Sequence, residues 1–209
     1  MNRSCDVEGV KKSLGISISP RVESSRKKLL TAFSATNSGI CEHGSLRKHT
    51  AGRKVRVRRP KMGMDITWVT DRIGVGGGIW TAENMAAVAR AGITHIIDMQ
   101  IEFDDTPLAV RHEIAVCWNP VDDDFEPKSS DVFARGVEFA LAALEEDGTK
   151  LLVHCAAGVH RAPMMTLALL GVMGWKVEDA IHLIEARRPV ADFAEVYVQS
   201  VEDFLQGRS

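Results

Sequence analysis

The chain has 209 residues, of which 45% are hydrophobic and 26% charged, with a formal net charge of -2. This composition indicates a soluble globular protein with one domain of ordinary size, and it excludes fibrous and fully disordered classes. No apolar run approaches the roughly 18–20 residues that cross a bilayer, and no signal-peptide core stands near the start, so we expect no membrane span.

The four cysteines, Cys5, Cys41, Cys117 and Cys155, form no CxxC pair and have no regular spacing. They therefore indicate neither a zinc site nor a disulfide framework, and the sequence predicts no metal and no cofactor. Free thiols favour a reducing compartment, so a cytoplasmic protein is expected.

Charge divides the chain into two unlike parts. Residues 1–63 hold 15 Lys and Arg against 4 Asp and Glu, whereas residues 64–209 hold 11 against 24. We predict a basic, disordered N-terminal extension over 1–63 and a globular domain over 64–209. The run Arg53–Lys61 leaves other interpretations open: a patch for nucleic acid or an anionic membrane, an organelle-targeting segment, or a true start at Met62 or Met64.

Strands and helices alternate from Met64 onward. Strands are predicted at 66–69, 73–75, 93–98, 113–118 and 151–154 from their β-branched and apolar runs, with a glycine turn at 76–78. Helices are predicted from Thr81 to Arg90, from Ser129 or Ser130 to about Asp147, over 164–173, around 177–184 and over 193–205. The helix at 164–173 is apolar on nearly every face, which is typical of a buried helix. The pattern predicts an α/β fold, a mostly parallel sheet flanked by helices.

One segment, His154-Cys155-Ala156-Ala157-Gly158-Val159-His160-Arg161, joins the last predicted strand to the buried helix. The amides of residues 156–160 can surround an anion, and Gly158 gives the backbone the freedom that a tight loop needs. Arg161 offers a planar fork for two phosphate oxygens, and Cys155 lies at a helix N-terminus, where a thiolate is favoured. These residues predict a phosphate-binding loop that carries a nucleophile.

His154-Cys155-x5-Arg161, with Gly158 between, resembles the HCxxGxxR signature of the protein tyrosine phosphatase superfamily. Three flanking segments are similar to its dual-specificity branch: 92–97 to "GITHVL", 119–123 to "IPVDD" and 186–189 to "RRP". The resemblance covers about residues 66–206. It implies a dual-specificity phosphatase-like catalytic domain, with the phosphate-binding loop between a strand and a buried helix.

The resemblance also implies a role for each motif residue. Cys155 would attack phosphorus and form a phosphocysteine intermediate, Arg161 would bind the phosphate, and His154 would support the cysteine. Alignment on the "IPVDD" segment places the general acid at Asp123, with Asp122 and Asp124 as rivals. The family usually has Ser or Thr after the arginine, where this chain has Ala162. We therefore expect slower hydrolysis of the phosphoenzyme and a larger burst of leaving group.

Other interpretations stay open. The low-molecular-weight phosphatases place the cysteine near the N-terminus and the acid in a distant Asp-Pro pair, and the rhodanese-like phosphatases fit the buried helix less well. A different class of function is a phosphate-binding module or a weakly active relative that captures phosphorylated partners. Phosphorylated protein is the expected partner, with nucleic acid restricted to the basic extension and the oligomeric state undetermined. Among the variable loop positions Ala156, Ala157, Val159 and His160, His160 is the one able to carry positive charge, so a polyanionic substrate is disfavoured. Phosphotyrosine is the favoured substrate, with phosphoserine and phosphothreonine as alternatives.

Overall fold

The computed structural model describes residues 63–207, so the predicted basic extension, apart from Gly63, lies outside the described residues, as do residues 208–209. Within 63–207, no helix is long and apolar enough to cross a membrane. The described residues form a five-stranded sheet flanked by helices, which confirms the predicted α/β class.

The sheet places its last strand at the centre. The strands β1 (Ile66–Trp68), β2 (Ile73–Gly76), β3 (His95–Asp98), β4 (Ala115–Trp118) and β5 (Leu151–His154) run in the order β1-β2-β5-β3-β4. β1 is antiparallel to β2, and the other neighbouring pairs are parallel. Because the carboxyl ends of the parallel strands are aligned, Gly76 and Asp98 flank His154. The segment after β5 therefore leaves from the middle of the sheet.

Helices cover both faces of the sheet: α1 (Ala82–Arg90), α2 (Thr106–Ala109), α3 (Ser130–Leu144), α4 (Arg161–Val172), α5 (Val177–Arg187) and α6 (Glu195–Gln206), with a 3-10 turn at Val110–His112. Successive strand residues face opposite sides of a sheet. Ile96 and Leu152 accordingly pack in a smaller core with α1 and α2, whereas Ile97 and Val153 pack in a larger core with α3 to α6. The burial of β5 on both faces follows from this arrangement.

Several element boundaries differ from the predicted ones. β3 and β4 begin two residues later than predicted, at His95 and Ala115. The reason is pairing, since His95 lies opposite Leu151, where β5 begins, and opposite Ala115. Ser129 is the residue that caps α3, and the helix ends at Leu144, short of the predicted end.

The buried helix α4 begins three residues earlier than predicted, at Arg161, so the loop arginine is the first helical residue. Pro163 lies in its first turn, where a missing N–H costs no hydrogen bond. All residues of α4 except Gly171 are buried, which confirms its predicted central position.

Candidate active site

The segment between β5 and α4 forms a tight loop around the thiol of Cys155. Cys155 is 1% exposed, and its backbone N–H donates to the Gly76 carbonyl at 3.4 Å. The N–H of Gly158 donates to Sγ of Cys155 at 3.2 Å. Gly158 has a φ of +66°, and a Cβ there would collide with the Gly76 backbone and with Arg188. Glycine is therefore the residue that this turn accepts without strain.

Arg188 holds the loop from outside and is itself buried. Its Nε donates to the carbonyl of Gly158 at 2.7 Å, and its Nη2 donates to that of Ala157 at 3.3 Å. In a trans peptide the C=O and the following N–H point in opposite directions. Because Arg188 holds these two carbonyls on the outside, the N–H groups of Gly158 and Val159 point to the inside of the loop, where Sγ of Cys155 lies. Asp65 accepts from Nη1 and Nη2 of Arg188 at 3.0 and 2.6 Å, and this hydrogen bonding lowers the pKa of Asp65.

Arg161 is also buried, and its guanidinium is held along one edge. Nη1 and Nη2 donate to the two carboxylate oxygens of Glu102 at 2.9 and 2.8 Å, and Nη1 also donates to the Val121 carbonyl at 3.1 Å. Nε has no hydrogen-bond partner among residues 63–207. Nε and the second hydrogen on Nη2 thus form what we call the free edge of Arg161, two parallel donors that suit two phosphate oxygens.

Charge around Arg161 keeps its guanidinium protonated. Burial alone would lower the pKa of Arg161, but the hydrogen bond to Glu102 and the charges of Cys155, Glu102 and Asp123 raise it overall. The same hydrogen bond lowers the pKa of Glu102. The pair is therefore fully charged near neutral pH.

Asp123 is the predicted acid, and its carboxylate reaches the phosphate-binding loop. Oδ2 lies 3.1 Å from Nδ1 of His160 and 3.7 Å from Nε of Arg161. Oδ1 accepts a hydrogen bond from the hydroxyl of Tyr197 at 3.1 Å. Both oxygens of Asp123 are therefore held beside the free edge of Arg161.

The two rival acids have other partners. Asp122 is exposed and accepts the backbone N–H of Asp123 at 2.9 Å. Asp124 is exposed and pairs with Lys128, whose hydrogen bond lowers the pKa of Asp124. This geometry favours Asp123 among the three.

Tyr197 fastens the segment that carries these acids to α6. It is the single tyrosine of the chain and is 1% exposed. Its hydroxyl accepts the N–H of Phe125 at 2.9 Å, and its ring stacks on that of Phe125 with centroids 5.7 Å apart. Burial raises the pKa of Tyr197 to about 12, and the charge of Asp123 acts in the same direction. The hydroxyl therefore stays protonated and able to donate to Asp123.

A buried charged cluster lies behind the loop. His154, Asp98 and Asp105 are each 0% exposed. Nε2 of His154 lies 3.2 Å from Asp105 Oδ2 and 3.6 Å from Asp98 Oδ1. Burial raises the pKa of Asp98 to about 6, whereas the charge of His154 and two backbone N–H donors act against this rise.

The same three side chains have ligand atoms within 4.8 Å of one another, so they are the described group that could hold a metal ion. The carboxylate of Asp98 already accepts the N–H groups of Gln100 and Asp105 at 2.9 and 3.2 Å. These hydrogen bonds favour a buried charge cluster that supports His154.

Exposed aromatic side chains border the loop. Trp80 is 43% exposed with a φ of +59°, and its indole lies close to Gly78, whose N–H donates to the Ala156 carbonyl at 3.0 Å. The ring of Trp80 contacts Phe103 with centroids 5.9 Å apart. Phe125 is 52% exposed, and its ring lies edge-on to the imidazole of His160, with ring centroids 5.0 Å apart. Apolar surface therefore flanks the loop at both ends.

The predicted nucleophile, loop amides, arginine and acid come together at the carboxyl edge of the sheet. Four side chains that complete this arrangement were not assigned a role from the sequence: Glu102, Asp105, Arg188 and Tyr197. No local pattern marks Glu102, whose partner Arg161 is 59 positions away. The sequence held weak indications for two of the four: Arg188 lies in the "RRP" segment, and Tyr197 is the single tyrosine of the chain.

The central strand, the loop after it and the buried helix define the class of protein, because this fold is that of the protein tyrosine phosphatase superfamily. A sequence model of the dual specificity phosphatase catalytic domain matches residues 78–204, which is more than half of the chain. The chain belongs to this family, and the resemblance identified from the sequence is confirmed.

Individual relatives agree with this assignment. The chain is 35% identical over 115 residues to dual specificity protein phosphatase 5 of Rattus norvegicus, a match that covers 54% of this chain and 29% of the relative. It is 33% identical over 76 residues to the protein-tyrosine-phosphatase IBR5 of Arabidopsis thaliana, covering 36% of this chain and 29% of that protein. The chain thus spans less than a third of these relatives.

Solved structures show the same fold. The crystal structure of DUSP15 is 26% identical, with a TM-score of 0.59, and the match covers 68% of this chain and 88% of that one. The structure of PTPMT1 in complex with PI(5)P is 19% identical with a TM-score of 0.61, covering 68% of this chain and 96% of that one. At this identity the second likeness concerns the fold alone.

Proposed function

We propose that the chain is a cysteine-dependent phosphatase that hydrolyses phosphate monoesters, with protein phosphotyrosine as the favoured substrate. The observation that carries the proposal is the free edge of Arg161. Glu102 occupies one side of the buried guanidinium and leaves Nε–H and Nη2–H beside the loop that surrounds Cys155. A phosphate placed in this loop would meet a bidentate cation, backbone N–H groups and a nucleophile together.

In the first step the thiolate of Cys155 attacks phosphorus, and a P–S bond forms as the bond to the leaving oxygen breaks. Asp123, as a carboxylic acid, donates its proton to that oxygen. Arg161 and the loop amides stabilise the charge on the three remaining phosphate oxygens. His154, buried between two acids, supports the cysteine from behind.

In the second step water attacks the phosphocysteine, the P–S bond breaks and the thiolate leaves. Asp123, now a carboxylate, accepts a proton from the water. Relatives usually place a hydroxyl next to the arginine, and Ala162 lacks one, so we expect this step to limit turnover. A thiol that must stay reduced suits the cytoplasm.

The charges around the loop support a substrate with a single phosphate. Within residues 63–207, the two arginines that contact the loop, Arg161 and Arg188, are paired with Glu102 and Asp65 respectively. Asp123 adds further negative charge beside the loop. A polyanionic substrate such as a phosphoinositide would be repelled by these carboxylates.

The aromatic side chains support an aryl phosphate. Trp80 with Phe103 on one side, and Phe125 on the other, offer apolar surface to a phenyl ring whose phosphate lies in the loop. Both Trp80 and Phe125 have positive φ angles. Such backbone conformations cost free energy in residues other than glycine and often mark functional positions.

A phosphate-binding module is the second candidate, and Ala162 is the observation that favours it. A module would capture the phosphorylated partner and release phosphate slowly or not at all. Turnover therefore separates the two candidates.

The test is a substrate panel of p-nitrophenyl phosphate, phosphopeptides and phospholipids, assayed with wild type, Cys155→Ser and Asp123→Asn. We expect phosphotyrosine peptide to be preferred, Cys155→Ser to abolish release of phosphate, and Asp123→Asn to lower kcat by about 10²-fold. Binding of phosphopeptide without turnover by wild type would establish the module instead. A preference for phospholipid would refute the proposed substrate class.

A further inference from the structure

We propose that His160 is a positioning residue that holds the carboxyl group of Asp123 over the phosphate-binding loop, an inference that rests on the proposed function. His160 precedes Arg161 at the N-cap of α4, so its backbone belongs to the loop. Its side chain leaves the loop on the side of Asp123, and only 20% of it is exposed. The residue therefore joins the phosphate site to the acid directly.

The contacts of Asp123 show what His160 adds. Its Oδ2 lies 3.1 Å from Nδ1 of His160, and its Oδ1 accepts from Tyr197 at 3.1 Å. The contact with Arg161 is longer, at 3.7 Å, and uses the Nε that a bound phosphate would take. With phosphate in the loop, His160 and Tyr197 are the two side chains of the described part of the chain that still hold the carboxyl group of Asp123.

The imidazole of His160 is itself held in place. Its Nε2 lies 3.4 Å from Oδ2 of Asp192, and the backbone N–H of Asp192 donates to the Val159 carbonyl at 2.9 Å. Phe125 contacts the ring edge-on at 5.0 Å. Contacts on both nitrogens and on the ring fix its orientation, so that Nδ1 faces Asp123.

A positioning role has a kinetic signature that simple loss of structure lacks. Protonation of the leaving oxygen matters most for poorly acidic leaving groups and little for acidic phenols. Displacing Asp123 should therefore slow phenyl phosphate much more than a phenyl phosphate with electron-withdrawing substituents. A defect in the phosphate cradle would slow all of these substrates alike.

The experiment measures kcat/KM for a series of substituted phenyl phosphates with wild type, His160→Ala and His160→Asn. For His160→Ala we expect phenyl phosphate to fall about 10–100-fold and the most acidic phenol to fall less than about threefold. Asn places an amide N–H near the position of Nδ1, so His160→Asn should restore the dependence of kcat/KM on the leaving group that wild type shows.

Three controls accompany this series. His182→Ala replaces an exposed histidine on α5 and should leave all rates unchanged. Inhibition by inorganic phosphate should be the same in wild type and His160→Ala, because the loop amides and Arg161 remain. Tyr197→Phe removes the hydroxyl that holds the other oxygen and should steepen the leaving-group dependence, which provides a second test if His160→Ala folds poorly.

An equal loss on all substrates, or weaker phosphate inhibition in His160→Ala, would overturn the inference while leaving the proposed function intact. An unchanged leaving-group dependence in both His160→Ala and Tyr197→Phe would also overturn it. A wild-type protein that hydrolyses no aryl phosphate would refute the proposed function, and the role of His160 with it.

Discussion

Two neighbouring regions of this molecule are built in opposite ways. The phosphate-binding loop, 154–161, is a short continuous segment between a buried strand and a buried helix, and Gly158 contacts Cys155 three positions away. The acid-bearing segment, 119–129, includes exposed residues and is fastened by Tyr197 and His160, which are 74 and 37 positions from Asp123. The proposed nucleophile and the loop around it are thus set mainly by local sequence, whereas the proposed acid is placed by distant contacts.

The two regions also differ in how they accommodate a positive φ. The loop uses a glycine, Gly158, at φ +66°, whereas the acid segment uses Phe125 at φ +58°. A left-handed conformation costs a residue with a Cβ about 1–2 kcal/mol. The stacking of Phe125 on Tyr197 and the hydrogen bond to its hydroxyl offset this cost. Tertiary contacts therefore maintain a conformation that the local sequence does not favour.

The largest effect is expected inside the loop, from Arg161→Lys. Lysine cannot supply two parallel donors, so kcat/KM should fall about 10³-fold and inhibition by inorganic phosphate should weaken. Arg90→Lys, an exposed position on α1, is the matched control. A fall of less than about tenfold would contradict the role of the free edge.

Arg188→Ala tests how far the loop depends on distant support. We expect the free energy of unfolding to drop by about 3 kcal/mol. This value is at the lower end for a broken buried ion pair, because 57% of the Asp65 side chain is exposed. The variant also loses the hydrogen bonds from Arg188 to the carbonyls of Ala157 and Gly158, so the loop N–H groups are no longer held in place. We expect kcat/KM to fall about 10–100-fold as a result. The neighbouring exposed Arg187→Ala is the control in urea unfolding and in the assay. Normal activity in Arg188→Ala would mean that the loop holds its shape unaided.

Glu102→Gln probes the contact that orients Arg161 from 59 positions away. The amide keeps one acceptor but loses the charge, so kcat/KM should fall about tenfold. Glu83→Gln on the exposed side of α1 should have no effect. Steady-state kinetics with p-nitrophenyl phosphate measures both variants, and an increase in activity would indicate that Glu102 competes with phosphate.

Ala162→Ser restores the hydroxyl that relatives carry. A hydrogen bond to the departing thiolate should speed hydrolysis of the phosphoenzyme about threefold to tenfold and reduce the burst accordingly. Stopped-flow release of p-nitrophenol measures burst and turnover together. Because Ala162 is fully buried, thermal unfolding of Ala162→Ser should be measured together with the kinetics, to check that the variant is folded. If burst and turnover both stay at wild-type values, the missing hydroxyl does not limit hydrolysis of the phosphoenzyme.

Asp98→Asn should have its main effect on stability rather than on catalysis. Burial raises the pKa of Asp98 to about 6 from 3.8. Between these pH values the folded state therefore keeps a proton that the unfolded state loses. This group therefore contributes stability that is fully present below pH 3.8 and is lost as the pH rises through about 6. The loss amounts to at most about 3 kcal/mol.

Urea unfolding of wild type and Asp98→Asn from pH 4 to 7 checks this sign. As the pH rises, the free energy of unfolding of wild type should fall relative to that of Asp98→Asn. A difference that stays constant over this range would show that Asp98 titrates normally.

The approximate positions of the strands and of most helices followed from local patterns, because apolar periodicity and capping residues act within a few positions of one another. Thr81, for example, caps α1 as predicted, with its hydroxyl accepting from Asn84 at 3.2 Å. The strand order, with β5 at the centre, is set by pairing between distant segments. Strand ends were less predictable, since β3 starts where its partner β5 starts. Pairing partners, rather than propensity, decide such boundaries.

The sequence alone predicted a phosphate-binding loop from Cys155 to Arg161, because a tight loop between a strand and a helix is specified by contiguous residues. It also narrowed the acid to three neighbours. Tertiary structure decided which of them faces the loop, which edge of Arg161 stays free, and which way the loop carbonyls point. Those outcomes depend on Glu102, Arg188, Tyr197 and the side chain of His160, whose partners are brought close only when the sheet and its helices pack.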